Sequence, residues 1–339
     1  MILRNFDLKY YNTFHLSALA KFFSVFSDEE DLMELISERE FQKEKPFILG
    51  GGSNILLLSD LNNFVLKNEI LGKEIVRETN EHFFVRVGAG ENWHEFVEWC
   101  ISRNMAGIEN LSLIPGKVGA SPMQNIGAYG VEVKDIFHEL EAIEIETGNL
   151  RVFSREDCKF GYRESVFKNE EKGKYIITRV CFRLNKKAIF SLSYGAIEKE
   201  LEAMNVQQVS IAAVSEAVIR IRKSKLPDPA ILGNAGSFFK NPEITPSLFL
   251  QLKAQFQNIV SYPLENGNHK LAAGWLIENC GLKGFRKGDA GIHHLQALVL
   301  VNYGNASGKE IFDLSEMVIQ QVKLKFNVLL EREVNIISS

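Results

Sequence analysis

The chain has 339 residues, 45% of them hydrophobic and 24% charged, with 43 acids against 39 bases and a net charge of −4. At roughly 100–200 residues per domain this suggests two or three domains, and the composition excludes a disordered tail, a collagen and a small disulfide scaffold. The slight acidity argues against a general nucleic-acid coat or a polybasic membrane binder, so an anionic ligand needs positive partners supplied locally.

In chain order, the opening MILRNFDLKYYN lacks the apolar run of a signal peptide. SDEEDLMELISEREFQ predicts a helix over 27–42, with Ser27 as N-cap, Glu30 three residues on, and acids in the first turn. Short apolar runs predict strands at 46–49, 55–58, 64–66 and 83–87. ENWHEFVEWCISRNMAG reads as a helix, because Trp93, Phe96, Val97, Cys100 and Ile101 form one apolar stripe, with Gly107 as its stop. Residues 108–130 form a long irregular glycine-rich stretch. A hairpin follows, with period-2 alternation at 139–145, a TGN turn and LRVF at 150–153. A strand at 175–184 comes after the charged insert KNEEKGK.

The pattern turns helical over 209–224 and stops at KLPDP, where two prolines forbid continuation and a domain boundary is expected. A helix at 270–280 stopped by Gly281, a strand at 296–303 and a helix at 307–326 complete the chain. Ser307 and Glu310 make a capping box for the last helix. Interleaved strands and helices, with hairpins instead of regular βαβ units, argue for an α+β fold. Cys100, Cys158, Cys181 and Cys280 form no CxxC pair and read as reduced core residues of a cytosolic protein. No apolar run approaches the roughly 20 residues of a membrane span. His293 and His294 are adjacent, without ligand spacing, so no metal site is expected.

Glycine is clustered in GGGSN (Gly50, Gly51, Gly52, Ser53, Asn54), in GAGENW at 88–93, and in the 108–130 stretch with Gly116, Gly119, Gly127 and Gly130. Glycine lets backbone N–H groups approach and face a phosphate. For GAGENW a plain tight turn is an equal reading. For GGGSN ligand contact is favoured, because three adjacent glycines cost entropy without packing return. No GK[ST] ending makes a P-loop, and no third glycine or following acid makes a dinucleotide fingerprint. Such loops suit a pyrophosphate held by neutral N–H donors.

The strings IPGKVGASPMQNIGAYGVEV, GGGSN, FGYRES, KLPDP, NAGSFFKNP, AAGWLIE and LEREV occur in that set across nearly the whole chain. Together they resemble the bacterial UDP-N-acetylenolpyruvoylglucosamine reductases. The resemblance implies an FAD-binding fold of the vanillyl-alcohol-oxidase/p-cresol-methylhydroxylase type with a C-terminal substrate domain. It implies FAD-binding subdomains at 1–66 (joined by a terminal strand at about 328–339) and 67–208, and a substrate domain at 209–327. It further implies tightly bound, non-covalent FAD, NADPH as hydride donor and a nucleotide-sugar substrate, in a cytoplasmic monomer without nucleic-acid or membrane partners. The hydride passes through the flavin to an enolpyruvyl double bond, giving UDP-N-acetylmuramate for peptidoglycan.

That chemistry needs a group on the substrate carboxylate, toward which charge develops, and a positioned proton donor. Ser237 in NAGSFFKNP matches the family's proton donor, with Lys240 expected to aid its placement; by residue type alone Ser237 would be a turn or cap. Arg163 in FGYRES matches an active-site arginine whose planar fork suits a carboxylate. Glu333 in LEREV matches the catalytic glutamate, preferred over Glu331 by its place before the valine. Tyr194 and Lys225 match substrate positions of the subclass with a tyrosine-bearing loop. Asn241 and Gln296 match further substrate contacts, and Arg222 an arginine near the flavin. The implied flavin contacts also take in Pro115, Ala120, Ser121, Gln124, Asn125, Ala128 and Tyr129. Relatives often carry arginine two residues after the glutamate, where this chain has Asn335. Two rivals are another FAD oxidase of the same fold and a flavin-binding module without catalysis.

Overall fold

The computed structural model describes residues 1–38, 41, 46–193 and 196–338. It divides into two compact units. The first holds Met1–Phe6, Ala20–Gly52 and Leu61–Ser224, and the second Asp7–Leu19, Ser53–Asp60 and Lys225–Ser339.

In the first unit, one sheet has the strand order Leu3–Asp7, Leu19–Phe26, Leu61–Asn68, Phe47–Leu49. The last three run parallel. Phe26, Leu32, Phe64, Leu66 and Ile176 fill the core beside it. A second, five-stranded sheet is antiparallel, in the order Leu150–Ser154, Phe137–Glu144, Tyr175–Asn185, His82–Gly88, Lys73–Glu78. Helix Trp93–Ile101 packs its apolar stripe into this sheet's core, where Trp93, Phe96, Val97 and Cys100 are fully buried with Phe182. The TGN hairpin and the strand at 175–184 form where the alternation places them. Lys73–Glu78 shows little of that signal because it is a mostly exposed, charged edge strand.

In the second unit, Gly233–Ser237, Val299–Asn302, Ala290–Ile292 and Arg286–Lys287 form an antiparallel sheet. Helix Gly308–Phe326 buries Ile311, Leu314, Val318 and Val322 in this unit's core. Ser307 and Glu310 cap it reciprocally, as the sequence implies. Gly281, at φ +75°, ends helix Ala273–Asn279. Strand Asn335–Ile337 runs parallel to Ile55–Leu57.

Local boundaries depart from the sequence reading in two places. The first helix is Glu29–Ser37, and its N-cap is Asp28, whose carboxylate accepts from the Asp31 N–H at 2.8 Å. Ser27 contributes its backbone N–H to the Asp31 carboxylate instead. Two adjacent cap-forming residues were available, and the carboxylate took the cap. Helix Trp93–Ile101 ends well before Gly107: the chain turns at Asn104, at φ +54°. Asparagine tolerates the left-handed region well enough to replace glycine there.

The four cysteines are free thiols, and burial pushes Cys158 and Cys181 up to about 12. The cap assignment is testable by urea unfolding: Asp28→Ala should lose about 1 kcal/mol, and Ser27→Ala less than about 0.5 kcal/mol. Equal losses would return the cap to Ser27.

Candidate functional site

The glycine loops of the first unit are shaped by close backbone approach. A Cβ on Gly51 would lie 2.9 Å from the Gly116 Cα, and one on Gly50 would meet the Lys117 and Ala120 Cβ atoms at 3.6 and 3.9 Å. The GGG run and the loop at Pro115–Ala120 therefore lie against each other, glycine to glycine. Gly52 and Gly116 also take positive φ, at +62° and +120°. The GAG glycines are used differently. A Cβ on Gly88 would strike the Ile70 carbonyl at 2.3 Å, and one on Gly90 the Glu69 backbone at 2.6 Å. Strand packing accounts for this pair, and Asn92 of GAGENW caps the following helix.

The loop after Gly116 is laced to its surroundings. Gly119 donates to the Ala89 carbonyl and Val118 to Glu91. Ser121 is buried, and its hydroxyl has no hydrogen-bond partner among the described residues. Asn125 is fully buried at φ +46°. Its amide donates to Glu132 and to the Gly161 carbonyl, and its oxygen accepts from Lys134. Its side chain therefore holds the loop to the FGYRES turn. Pro115 and Gln124 lie in the same irregular stretch. Gly127 and Ala128 pair with Glu132 and Val131 in a small hairpin turned by Tyr129 and Gly130, both at positive φ.

Arg163 stands at the tip of the turn closed by Gly161 and Glu164, at φ +55°. Its guanidinium donates to the Gly127 carbonyl at 2.6 Å and lies 3.9 Å from Glu132. A Cβ on Gly127 would meet the Glu132 Cγ at 2.8 Å and the Val131 carbonyl at 2.9 Å, with that guanidinium at 3.1 Å, so glycine lets the hairpin close beside the arginine. The hairpin and the arginine thus form one assembly. Arg222, on helix Ile211–Lys225, is half-buried, with its Nε shielded and without a hydrogen-bond partner among the described residues. Burial holds its pKa below the ordinary value, with Tyr129 opposing; burial likewise pushes the Tyr129 hydroxyl up, opposed by Arg222.

In the second unit, Ser237 ends strand Gly233–Ser237 at an irregularity in its pairing with Val299–Asn302. Gly236 supplies the positive φ just before it, and donates to the Asn234 side chain. Phe238 and Phe239 are buried and fix the chain beyond. There the Glu333 N–H donates to the Phe238 carbonyl and the Lys240 N–H to the Glu331 carbonyl, both at 2.9 Å, around a bridge between Phe239 and Arg332. Backbone pairing thereby sets Glu333 opposite Phe238, the residue after Ser237. Arg332 is turned onto helix Gly308–Phe326, donating to Ser315 and pairing with Glu316. Extended alternation sends Glu331 and Glu333 to the opposite face. Glu331 is exposed and ion-paired with Lys240, which ties that lysine to the neighbouring carboxylate. Glu333 is half-buried.

Asn54 donates to the Glu333 carbonyl at 3.3 Å. Asn335 returns two donors to the Asn54 carbonyl, its backbone N–H at 3.1 Å and its side chain at 3.0 Å. Sequence reasoning noted Asn335 only as a departure; the structure makes it part of this brace. Ser53 precedes Asn54 in the same loop. Asn241 accepts from Ala273, and the Gln296 oxygen lies 3.2 Å from where a Cβ on Gly274 would stand, so both amides meet the first turn of helix Ala273–Asn279. Lys225 is exposed. Tyr194 lies outside the described residues.

Two positioning residues escaped the sequence reading. Asn110, only 2% exposed, donates to the Tyr129 and Ser191 carbonyls. His94 accepts from the N–H of Leu113, a residue at φ +58°.

An FAD binding domain family matches residues 20–154, and the C-terminal domain of UDP-N-acetylenolpyruvoylglucosamine reductase matches residues 228–337. The UDP-N-acetylenolpyruvoylglucosamine reductase of Flavobacterium johnsoniae is 49% identical over 334 residues, covering 98% of each chain. That of Amoebophilus asiaticus is 47% identical over 333 residues, also 98% of each chain. The solved reductase of the same name from Thermus caldophilus, 24% identical, superposes with a TM-score of 0.67 over 100% of this chain and 98% of its own, which speaks for the fold.

Proposed function

The chain belongs to the UDP-N-acetylenolpyruvoylglucosamine reductase family, and from that we propose how its own residues carry the reaction. It is an FAD-dependent oxidoreductase that reduces enolpyruvyl-UDP-N-acetylglucosamine to UDP-N-acetylmuramate in peptidoglycan synthesis, with NADPH as hydride donor. The first unit's loops fit FAD. Gly51 and Gly116 make a close backbone cradle, and the Ser121 hydroxyl and Arg222 Nε are buried donors without partners among the described residues. Gly50, Gly52, Ser53 and Asn54, with the loop from Pro115 to Tyr129, would hold the cofactor. Bound FAD supplies hydride transfer between nicotinamide and substrate.

Reduction places hydride on the terminal enolpyruvyl carbon and requires a proton at the adjacent one. We assign that proton to the Ser237 hydroxyl. Arg163 holds the substrate carboxylate and stabilises the charge developing there. Glu333 completes the acid machinery. What supports this reading is the backbone pairing that sets Glu333 opposite Phe238, the residue after Ser237, with Arg332 turned onto the long C-terminal helix.

Lys225 and Tyr194, with Asn241 and Gln296, bind the nucleotide sugar, and the tyrosine assigns the chain to the tyrosine-loop subclass. Residues 1–66 with 328–339, and 67–208, form the FAD subdomains; 209–327 form the substrate domain. We read the protein as a cytoplasmic monomer without nucleic-acid or membrane partners. The net charge of −4 offers no general attraction for a polyanion. Among the described residues no helix is long and apolar enough to cross a membrane.

Two measurements test these roles. Gly51→Ala drives a methyl against the Gly116 backbone, and the purified variant should carry less than about half the wild-type flavin per chain with an unchanged far-ultraviolet spectrum. Full flavin content would remove the cradle from cofactor binding. In stopped flow, Ser237→Ala should be bleached by NADPH at a near-normal rate, while reoxidation by the enolpyruvyl substrate slows about a thousandfold. Normal reoxidation would remove Ser237 from the proton-donor role.

A further inference from the structure

The three glycine clusters of the first unit meet at one group of charges. Lys67, near the end of strand Leu61–Asn68, is the register partner of Leu49, the residue before Gly50. Its ammonium, on a side chain only 10% exposed, pairs with Glu69 at 2.6 Å. The other oxygen of Glu69 lies 3.5 Å from the ammonium of Lys117. Lys117 follows Gly116, pairs with Asn92 in an isolated bridge, and has its Cβ 3.6 Å from where one on Gly50 would stand. The Glu69 backbone is what a Cβ on Gly90 would strike. Loops 50–52, 88–92 and 116–119 thus all border this triad.

Two ammonium groups share one carboxylate, leaving a formal excess of one positive charge in a partly desolvated place. Burial alone would raise the Glu69 carboxyl, but Lys67 and Lys117 overcome it and hold it below the usual range. Burial holds the Lys67 ammonium below the ordinary amine value, opposed by Glu69. The nearby Lys73 has its own partner in Glu91. A cation in excess, removed from water, is stabilised by an anion. Backbone N–H groups in the adjoining loops supply direction but no net charge.

We propose that Lys67 and Lys117, held together by Glu69, are a cationic seat for the FAD pyrophosphate. Glu69 serves as their counter-ion and competes with the phosphates for them. The inference rests on FAD binding and not on the roles of Ser237, Arg163 or Glu333. The reoxidation assay can fail while this proposal stands, and the reverse also holds.

An ordinary structural ion-pair network predicts that breaking it from either side is harmful. The cationic seat predicts opposite signs. Full-length holoprotein is diluted through nanomolar concentrations, and released FAD is read by its fluorescence across a KCl series. Lys117→Gln should raise the FAD Kd about tenfold and flatten its dependence on KCl. Lys67→Met should act in the same direction. Glu69→Gln should lower the Kd, because the carboxylate no longer competes. If Glu69→Gln loosens FAD as Lys117→Gln does, or if neither lysine variant changes the Kd or its salt dependence, the seat is refuted. The two lysine variants keep the proposal testable even where Glu69→Gln fails to fold.

Discussion

The second unit depends on how residues 330–337 are threaded. Leu330 and Val334 are buried at 3% exposure each, and Arg332 is anchored on the long C-terminal helix. These alternate residues fix the face of the segment. Glu331, Glu333 and Asn335 must then point the other way. A slip of one residue would bury the glutamates and expose Leu330 and Val334, so register is strongly specified. Backbone bonds to Phe238 and Lys240 lock the segment on one side, and the strand pairing with Ile55–Leu57 locks it beyond. The ladder brings Glu333, distant in sequence, opposite Phe238, the residue after Ser237.

The same constraint reaches the GGGSN loop. Asn335 donates twice to the Asn54 carbonyl, and Asn54 donates to the Glu333 carbonyl. An asparagine can do this because its short amide reaches a backbone carbonyl next to its own strand. In the first unit the governing constraint is different. There, glycine at 51 and 116 lets two loops touch backbone to backbone, and glycine at 127 lets its hairpin close on Val131 and Glu132 beside the Arg163 guanidinium. Absence of side chains, not their chemistry, sets those surfaces.

Much of this was legible in the sequence. The strong helix at 307–326 appeared with its capping box, because local hydrogen bonds decide a helix end. The hairpin at 139–153 followed from alternation and its turn residues. Ser237, Arg163 and Glu333 were singled out through motif resemblance, and neither composition nor periodicity would have chosen a serine as an acid. Less legible was whatever depends on distant backbone approach. For the GAG glycines the sequence left a tight turn and ligand contact equal, and only the structure shows Ile70 and Glu69 packed against them. Nothing local in the sequence showed that the Asn125 side chain ties its loop to Lys134, Glu132 and Gly161. Lys67 and Lys117 lie 50 residues apart in sequence and are joined only through Glu69. No local pattern marks such a triad.

The central claim is that Ser237 and Glu333, aligned by the terminal segment, act on one proton-transfer step. A double-mutant cycle on the reoxidation rate tests it most directly, using Ser237→Ala, Glu333→Gln and the double variant in single turnover. The account predicts strong non-additivity, with the double variant no more than about tenfold slower than Ser237→Ala alone. Fully additive losses would show two independent contributions and contradict the shared acid site.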